Sequence, residues 1–215
     1  MKKVLLFGTF LSVFLSFSQK TVQFSDPLPT GSSSVSTTDK LWFGDYKNTE
    51  SGVTYHIDEQ GISIITLVIT YVTREQVRES SKLRVSGNYL HGIIPNDSVP
   101  CSLDGENYYY GITQKLVITG SGTMNSLTRL SANKYVLNFH EGLYFEPSLV
   151  TFENGKMNIV HGELDYVDAF NSILKVNTIT RYGSEVSILA PSFEQWERLQ
   201  SVLFTGKALI YEKTK

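Results

Sequence analysis

Four histidines are the side chains of this sequence best suited to chemistry near neutral pH, where imidazole both transfers protons and binds metals. They are spread along the chain: His56, His91, His140 and His161. Zinc sites built on one element usually place two histidines a few residues apart. Because these four are far apart in the sequence, we expect three surface or rim histidines, one packed histidine and no metal site.

Carboxylates in the C-terminal half form a second group with catalytic potential. Glu163 and Asp165 share one face of an alternating stretch, and Glu141 directly follows His140. Two carboxylates about 5–10 Å apart can hydrolyse a glycoside, and His161 lies close in sequence to the same group. Acidic residues are much more often simply solvated on a strand face than catalytic. An enzyme built on these side chains is therefore kept only as an alternative to a protein without catalytic activity.

Other catalytic signatures are missing from the sequence. It contains no G-x-S-x-G nucleophile elbow and no glycine-rich phosphate-binding motif. Cys101, the single cysteine, follows Pro100 without a recognisable neighbouring motif, and a free cysteine usually behaves as a small hydrophobic residue. We therefore predict no catalytic residue and no cofactor, and we expect Cys101 to be buried.

Aromatic side chains are the remaining signal for a binding site. The chain has twelve tyrosines and two tryptophans, and tyrosine, with an apolar ring and a polar tip, suits binding cavities and interfaces. The candidate ligand-binding residues are Trp42, Tyr46, Tyr89, Tyr108, Tyr110 and Tyr135. The alternative is that these rings fill a β-sheet core, where aromatic residues are equally common.

Alternation of apolar and polar residues dominates the rest of the chain and predicts about ten strands, in an antiparallel barrel or sandwich. Asn154-Gly155, between two apolar runs, is a strong signal for a hairpin. Leu83, Val85, Tyr89 and His91 share one parity, which predicts that the four side chains point to the same face of their strand.

One amphipathic helix is predicted from residue 193 to 204, followed by a final strand at 207–212. Ser192 and Gln195 fit a capping box at its start, and apolar residues then recur at helical spacing. A weaker helix or long turn is expected at 73–81. The fold class predicted is therefore mainly β, with one C-terminal amphipathic helix before the last strand.

The first eighteen residues have the layout of a secretory signal peptide. Lys2 and Lys3 precede an apolar run that is shorter than the ~20 residues of a membrane-spanning helix, and the run ends in Ser16-Phe17-Ser18. The expected organisation is a signal peptide (1–18), a flexible Pro-, Ser- and Thr-rich leader (19–39) and a single antiparallel β domain (40–215).

Charge and export narrow the classes of partner. A formal net charge of −2, with 19% charged residues, is too balanced for a nucleic-acid-binding protein. We expect an exported protein, periplasmic or secreted, with no nucleic-acid partner and no integral membrane span after the signal peptide is removed.

The order of elements resembles that of the lipocalin or calycin barrels. In that family a short Gly-x-Trp motif, the reverse of the order found in this chain, opens the barrel, about eight antiparallel strands follow, and a helix packs outside before a last short strand. Here Trp42 and Gly44 form Trp-x-Gly at the first strand, and the helix at 193–204 precedes the strand at 207–212. The resemblance implies a cavity for a small apolar ligand.

Two functions follow from these expectations. The first is non-catalytic binding of a small apolar or amphipathic ligand in a barrel cavity. The second is an envelope interaction module that binds a protein or a glycan through exposed aromatic side chains.

Overall fold

The computed structural model describes residues 22–164, 170–181 and 184–214, so the predicted signal peptide lies outside the described residues. Within these ranges, sixteen strands belong to one sheet. In chain order they are β1 Val22–Phe24, β2 Ser34–Val35, β3 Gly44–Lys47, β4 Thr54–Asp58, β5 Gly61–Thr73, β6 Arg84–Ser86, β7 Tyr89–His91, β8 Ser98–Asp104, β9 Asn107–Val117, β10 Ser126–Ser131, β11 Lys134–Glu141, β12 Tyr144–Glu153, β13 Lys156–His161, β14 Asn177–Arg181, β15 Ser184–Leu189 and β16 Leu209–Lys213.

Helical structure is sparse in the described residues. It includes α1 (Arg74–Glu79), α2 (Trp196–Leu203) and the 3-10 turns Lys40–Trp42 and Phe193–Gln195. The backbone N–H of Ser192 donates to Gln195 Oε1 at 2.7 Å, as the predicted capping box requires. The prediction of a mainly β fold with a C-terminal helix and a final strand is confirmed. None of the helices in the described ranges has the length and apolar character that a membrane crossing requires.

The strand order explains why the sheet is open. It runs β14–β15–β1–β12–β13–β16–β3–β4–β5–β9–β8–β7–β6, and β11, β10 and β2 branch from β12. Neighbours are antiparallel except β1 and β15, which run parallel. The end strands β14 and β6 do not pair with each other, so of the two predicted architectures the closed barrel is not formed. The physical reason is that β5 and β9 pair mainly with each other and carry β8, β7 and β6 away from the remaining strands.

We call residues 66–117 the arm and the other described residues the body. Two hydrophobic cores fill the body. The first is built on buried side chains that include Tyr46, Tyr55, Ile57, Tyr135, Phe152 and Tyr211. In the second, Leu199 and Leu203 of α2 pack with Phe24 and Phe170. Burial of such apolar side chains contributes roughly 1.5–3 kcal/mol each to stability.

The segment 22–39, which the sequence predicted to be part of a flexible leader, belongs to the body. Val22 and Phe24 of β1 and the nearby Leu28 are completely buried. The Leu28 N–H donates to Asn138 Oδ1, and the Leu28 carbonyl accepts from Asn138 Nδ2, both at 2.9 Å. The structure differs from the expectation because a few well-spaced apolar residues anchor a segment whose overall composition is that of a linker.

The arm depends on the longest strand pairing of the fold. β5 and β9 pair without interruption from Ser63 opposite Val117 to Thr73 opposite Asn107. β4 accompanies β5 only as far as Ile65, so the arm begins as a two-stranded ribbon. At the far end of the ribbon, β8, β7, β6 and α1 enclose a small third core around Leu90, Val99 and Tyr110.

The hairpin of β6 and β7 changes which side chains point inward. Its two-residue turn starts at Gly87, which has a φ of +58°, and it places Val85 opposite Leu90. Leu90 is therefore buried and Tyr89 is exposed. The prediction that Tyr89 shares a face with Val85 is wrong because the turn interrupts the alternation.

Candidate functional site

The six aromatic residues predicted to bind a ligand lie in two separate regions. Trp42, Tyr46 and Tyr135 meet in the first core of the body, around Phe152. The Trp42 and Phe152 rings stack with centroids 5.0 Å apart, and the rings of Tyr46 and Tyr135 pack edge-on against Phe152 at 5.6 and 6.0 Å. The Tyr46 hydroxyl donates to the Trp42 carbonyl at 3.0 Å. The Trp42 indole N–H donates to the Ala132 carbonyl and the Tyr135 hydroxyl accepts from the Asp39 N–H, so the polar groups of all three side chains have partners within the body.

The other three predicted residues lie in the arm. Tyr108 and Tyr110 face the third core, opposite Val72 and Thr70 of β5, and burial raises the pKa of Tyr110. Tyr89 is 51% exposed on the opposite face. The consecutive tyrosines thus alternate between faces, as expected, and Tyr109, which was not among the predicted site residues, lies half-buried on the same face as Tyr89.

An apolar face of the arm emerges from the strand register. Ile69 lies opposite Gly111, Tyr71 lies opposite Tyr109, and directly opposed residues point to the same side of a sheet. Leu67 and Ile69 are 61% and 57% exposed, respectively. The same face continues through β8 and β7 because Tyr109 is opposite Ser102 and Tyr89 is opposite Pro100. We call this surface the aromatic face; its members are Leu67, Ile69, Tyr71, Tyr89, Pro100 and Tyr109.

A groove of about 440 Å³ crosses the aromatic face. It opens where β8 leaves β9, beyond the pairing of Cys101 with Tyr110. Ile69, Tyr89 and Tyr109 contribute to its lining. Its volume is within the usual range of small-ligand sites, about 300–1,000 Å³, and its side chains offer mainly apolar contact.

Gly111 lies in this groove and has no conformational reason to be glycine. It is in the interior of β9, where glycine weakens a strand, and it is not among the glycines with a positive φ. A Cβ atom there would lie 2.9 Å from Leu67 Cδ1 and 3.4 Å from Ile69 Cδ1. The sequence signal that could have pointed to this site is a glycine inside an alternating strand, because such a glycine often marks a place where another group approaches the backbone closely.

Cys101 forms part of the wall of the same groove and is half-buried. Burial raises the pKa of its thiol. A protonated thiol is a poor nucleophile, so the cysteine contributes shape and apolar surface to the groove.

A polar cluster in the body surrounds His56 at the root of the arm. His56 Nδ1 lies 2.5 Å from Asp45 Oδ1, and His56 Nε2 lies 3.1 Å from Asp58 Oδ2. Lys115 Nζ is 3.8 Å from Asp58 Oδ2. Desolvation opposes ionisation of Asp58, but hydrogen bonds from the Gln60 N–H and from His56, together with Lys115, hold its pKa below the usual value.

This cluster is not arranged as a metal centre. The carboxylates of Asp45 and Asp58 approach opposite nitrogens of the His56 ring, so no single point has all three groups as ligands. Among the residues that the structure describes, no three or more His, Cys, Asp or Glu side chains converge as metal ligands.

The histidines and carboxylates of the catalytic alternative are divided between two faces of the sheet. His140 lies opposite Phe145 and His161 lies opposite Ser148. Phe145 and Ser148 are an odd number of positions apart on β12, so the two histidines point to opposite faces. Asp165 lies outside the described residues. Each of the four histidines is partly or largely exposed, so the expectation of one packed histidine is wrong.

Comparison with known proteins finds no matching family model, no similar curated protein and no similar solved structure.

Proposed function

We propose that the chain is an exported, non-catalytic binding protein that recognises a protein partner through the aromatic face of the arm. The observation that supports this proposal is a set of neighbouring apolar side chains exposed to solvent on one face of the arm. Leu67, Ile69 and Tyr89 each expose more than half of their surface there. Contiguous apolar surface of this kind usually marks an interaction site.

The chemistry of the aromatic face favours a protein over a glycan. Its rings are not coplanar, since the planes of Tyr71 and Tyr109 are 48° apart, and Leu67 and Ile69 add aliphatic surface between the rings and the body. The face carries no charged residue between Leu67 and Tyr71 or on the opposing positions of β9. Uncharged aliphatic and tyrosine side chains are typical of the centre of a protein interface.

The first function expected from the sequence, a small apolar ligand inside a barrel, has less support. Trp42, Tyr46 and Tyr135 occupy the interior as packed side chains, and the sheet is open. The groove near Tyr89 nevertheless has the volume of a small-ligand site. The experiment must therefore distinguish binding at the aromatic face of the arm from binding inside the body.

Titration with a fluorescent naphthalene sulfonate dye tests whether the aromatic face is the binding surface. We expect Ile69→Ser and Tyr89→Ser each to raise the dye dissociation constant roughly tenfold, because each substitution removes apolar area from the groove. The matched control is Leu143→Ser, which changes a side chain that is 71% exposed in the turn between β11 and β12 and leaves the aromatic face intact.

Dye affinity that is unchanged in both arm variants would contradict the proposal and would favour a ligand held in the body. Export is tested separately by amino-terminal sequencing of the protein recovered outside the inner membrane. Removal of the predicted signal peptide makes Gln19 the first residue, whereas an intact Met1 would reject the export part of the proposal.

A further inference from the structure

Strand β9 has an open edge beside the aromatic face. β8 pairs with β9 only from Asn107 to Tyr110. From Gly111 to Val117, β9 has β5 on one side, and no strand in the described ranges pairs with its other side. Residues 113–117 of β9 are all exposed. An edge of this length offers a row of hydrogen-bonding groups to another strand.

The direction of these groups follows from the hydrogen bonds to β5. Ile118 N–H donates to Ile62 O at 2.7 Å, and the antiparallel register then continues through Val117 opposite Ser63. Alternate residues of an antiparallel strand direct N–H and C=O toward the partner and away from it. The backbone groups that point outward from β9 therefore belong to Gly111, Thr113, Lys115 and Val117.

The side chains around this edge suit an apolar strand. Leu116 is 59% exposed and points to the other face of the ribbon from Leu67. Both faces of the ribbon therefore present apolar groups beside the open edge. Lysine on an edge strand often prevents pairing with other chains; here Lys115 Nζ lies 3.8 Å from Asp58 Oδ2, on the side of the body. The groove at Gly111 lies at the end of the edge, where it can receive one side chain of an added strand.

From this geometry we infer that the partner contributes an extended, uncharged and largely apolar segment that adds to β9 along Gly111–Val117. The inference rests on the proposed function and specifies its mode of recognition. Main-chain hydrogen bonds from Thr113, Lys115 and Val117 supply affinity, and the groove beside Gly111 selects a side chain, as is general for strand addition.

A synthetic peptide tests strand addition directly. The probe is an acetylated and amidated heptapeptide of alternating threonine and valine, with one lysine added at each end for solubility. At saturating peptide we expect amide hydrogen exchange at Thr113, Lys115 and Val117 to slow by roughly tenfold, because each N–H gains an acceptor. The control peptide has the same sequence, with N-methyl groups on the alternate residues whose amides would face β9, and it should give no protection.

Protein variants sharpen the test. Thr113→Pro removes an N–H that points outward and is not used in pairing with β5, so the ladder with β5 keeps its hydrogen bonds. We expect it to weaken peptide binding roughly tenfold, whereas Thr113→Val, which keeps the N–H, should bind normally. If Thr113→Pro does not fold, the N-methylated peptide makes the same comparison on the unaltered protein.

The outcomes distinguish a failure of strand addition to β9 from a failure of the proposed binding through the aromatic face. Dye binding with no amide protection by the peptide would reject strand addition and leave the aromatic face as the binding surface. Loss of both signals would reject both. If the peptide instead protected the amides of Leu67 and Ile69, at the edge of β5, the assignment of the added strand to β9 would also be wrong.

Discussion

Tyrosines have opposite roles in the first core of the body and on the aromatic face of the arm. In the body, Tyr46 and Tyr135 are almost completely buried, and their rings pack against Phe152. In the arm, Tyr71 and Tyr89 are 40% and 51% exposed on the aromatic face. The same residue type, on strands of the same alternating pattern, is core material in one region and accessible surface in the other.

The difference comes from the number of layers that cover each strand. In the body, the segment from Val22 to Asp39 and the strands around Phe152 cover the inner face, and the Asp39 N–H donates to the Tyr135 hydroxyl at 3.0 Å. In the arm, β5 and β9 continue past Ile65, and with all the described residues in place Leu67 and Ile69 on the aromatic face stay more than half exposed. Burial of a tyrosine is therefore set by long-range pairing, and the exposed rings of the arm are available to a partner.

Truncation of a central body ring should produce the largest difference between the regions. Phe152→Ala removes the ring that Trp42, Tyr46 and Tyr135 contact and should lower the free energy of unfolding by about 3–5 kcal/mol. The arm counterpart, Tyr89→Ala, changes a half-exposed ring and should lower it by less than ~1 kcal/mol. Urea unfolding measures both.

Equal losses for these two variants would show that the arm is as tightly packed as the body. A large loss for Tyr89→Ala alone would mean that the aromatic face stabilises the fold, and it would weaken the argument that the face is kept for a partner.

A smaller but still substantial effect should follow from Asn138→Ala, which tests how the N-terminal segment closes the body. Asn138 is completely buried and bonds both the N–H and the C=O of Leu28. Its loss leaves these two groups without their partner, at a cost of roughly 2–4 kcal/mol in total. The readouts are urea unfolding and hydrogen exchange of the Leu28 amide, which should lose its protection.

Ser126→Ala is the matched control for this variant. It removes the Asn138 Nδ2 contact to Ser126 Oγ at 3.3 Å and keeps both bonds to Leu28. If both variants unfold alike, the segment from Val22 to Leu28 is held by its apolar side chains, and the amide bridge has no special role.

Local signals in the sequence were sufficient to predict several elements of the fold. The box formed by Ser192 and Gln195 marks the start of the C-terminal helical segment, and Asn154-Gly155 forms a tight hairpin in which Glu153 lies opposite Lys156. Asn154 and Gly155 both have positive φ values, as such a turn requires. These features depend on neighbouring residues alone, so the sequence determines them directly.

Features that depend on distant contacts were not predictable in the same way. Buried Leu28 is hydrogen-bonded to Asn138, which lies far away in the sequence, and the open edge of β9 exists because β8 pairs with β9 only from Cys101 to Asp104. Alternation shows that a strand has two faces but does not show which face another layer covers. For that reason the predicted site residues were divided between the core and the aromatic face, and Gly111 was overlooked.

The smallest expected difference between the body and the arm is in how their tyrosines affect stability at high pH, and it is absent at neutral pH. Tyr55 packs edge-on against Tyr211, with ring centroids 5.0 Å apart. The pKa of Tyr55 is raised far above its usual value, mainly by desolvation and to a smaller extent by the neighbouring Tyr211. Burial also raises the pKa of Tyr211. The fold favours the neutral phenols, so their stabilising contribution is complete below the unfolded pKa of about 10 and is lost as the pH rises beyond it.

Tyr55→Phe should therefore shift the alkaline unfolding midpoint to higher pH, because the phenylalanine ring keeps the packing and cannot ionise. Tyr89→Phe in the arm should leave that midpoint unchanged, since about half of the Tyr89 side chain is already in water. The near-ultraviolet absorbance of tyrosinate reports ionisation, and far-ultraviolet circular dichroism reports unfolding, so following both signals during the titration distinguishes the two events. If Tyr55 ionises before the strands unfold, the body core admits water, and the contrast between the two regions would be one of packing density and not of coverage.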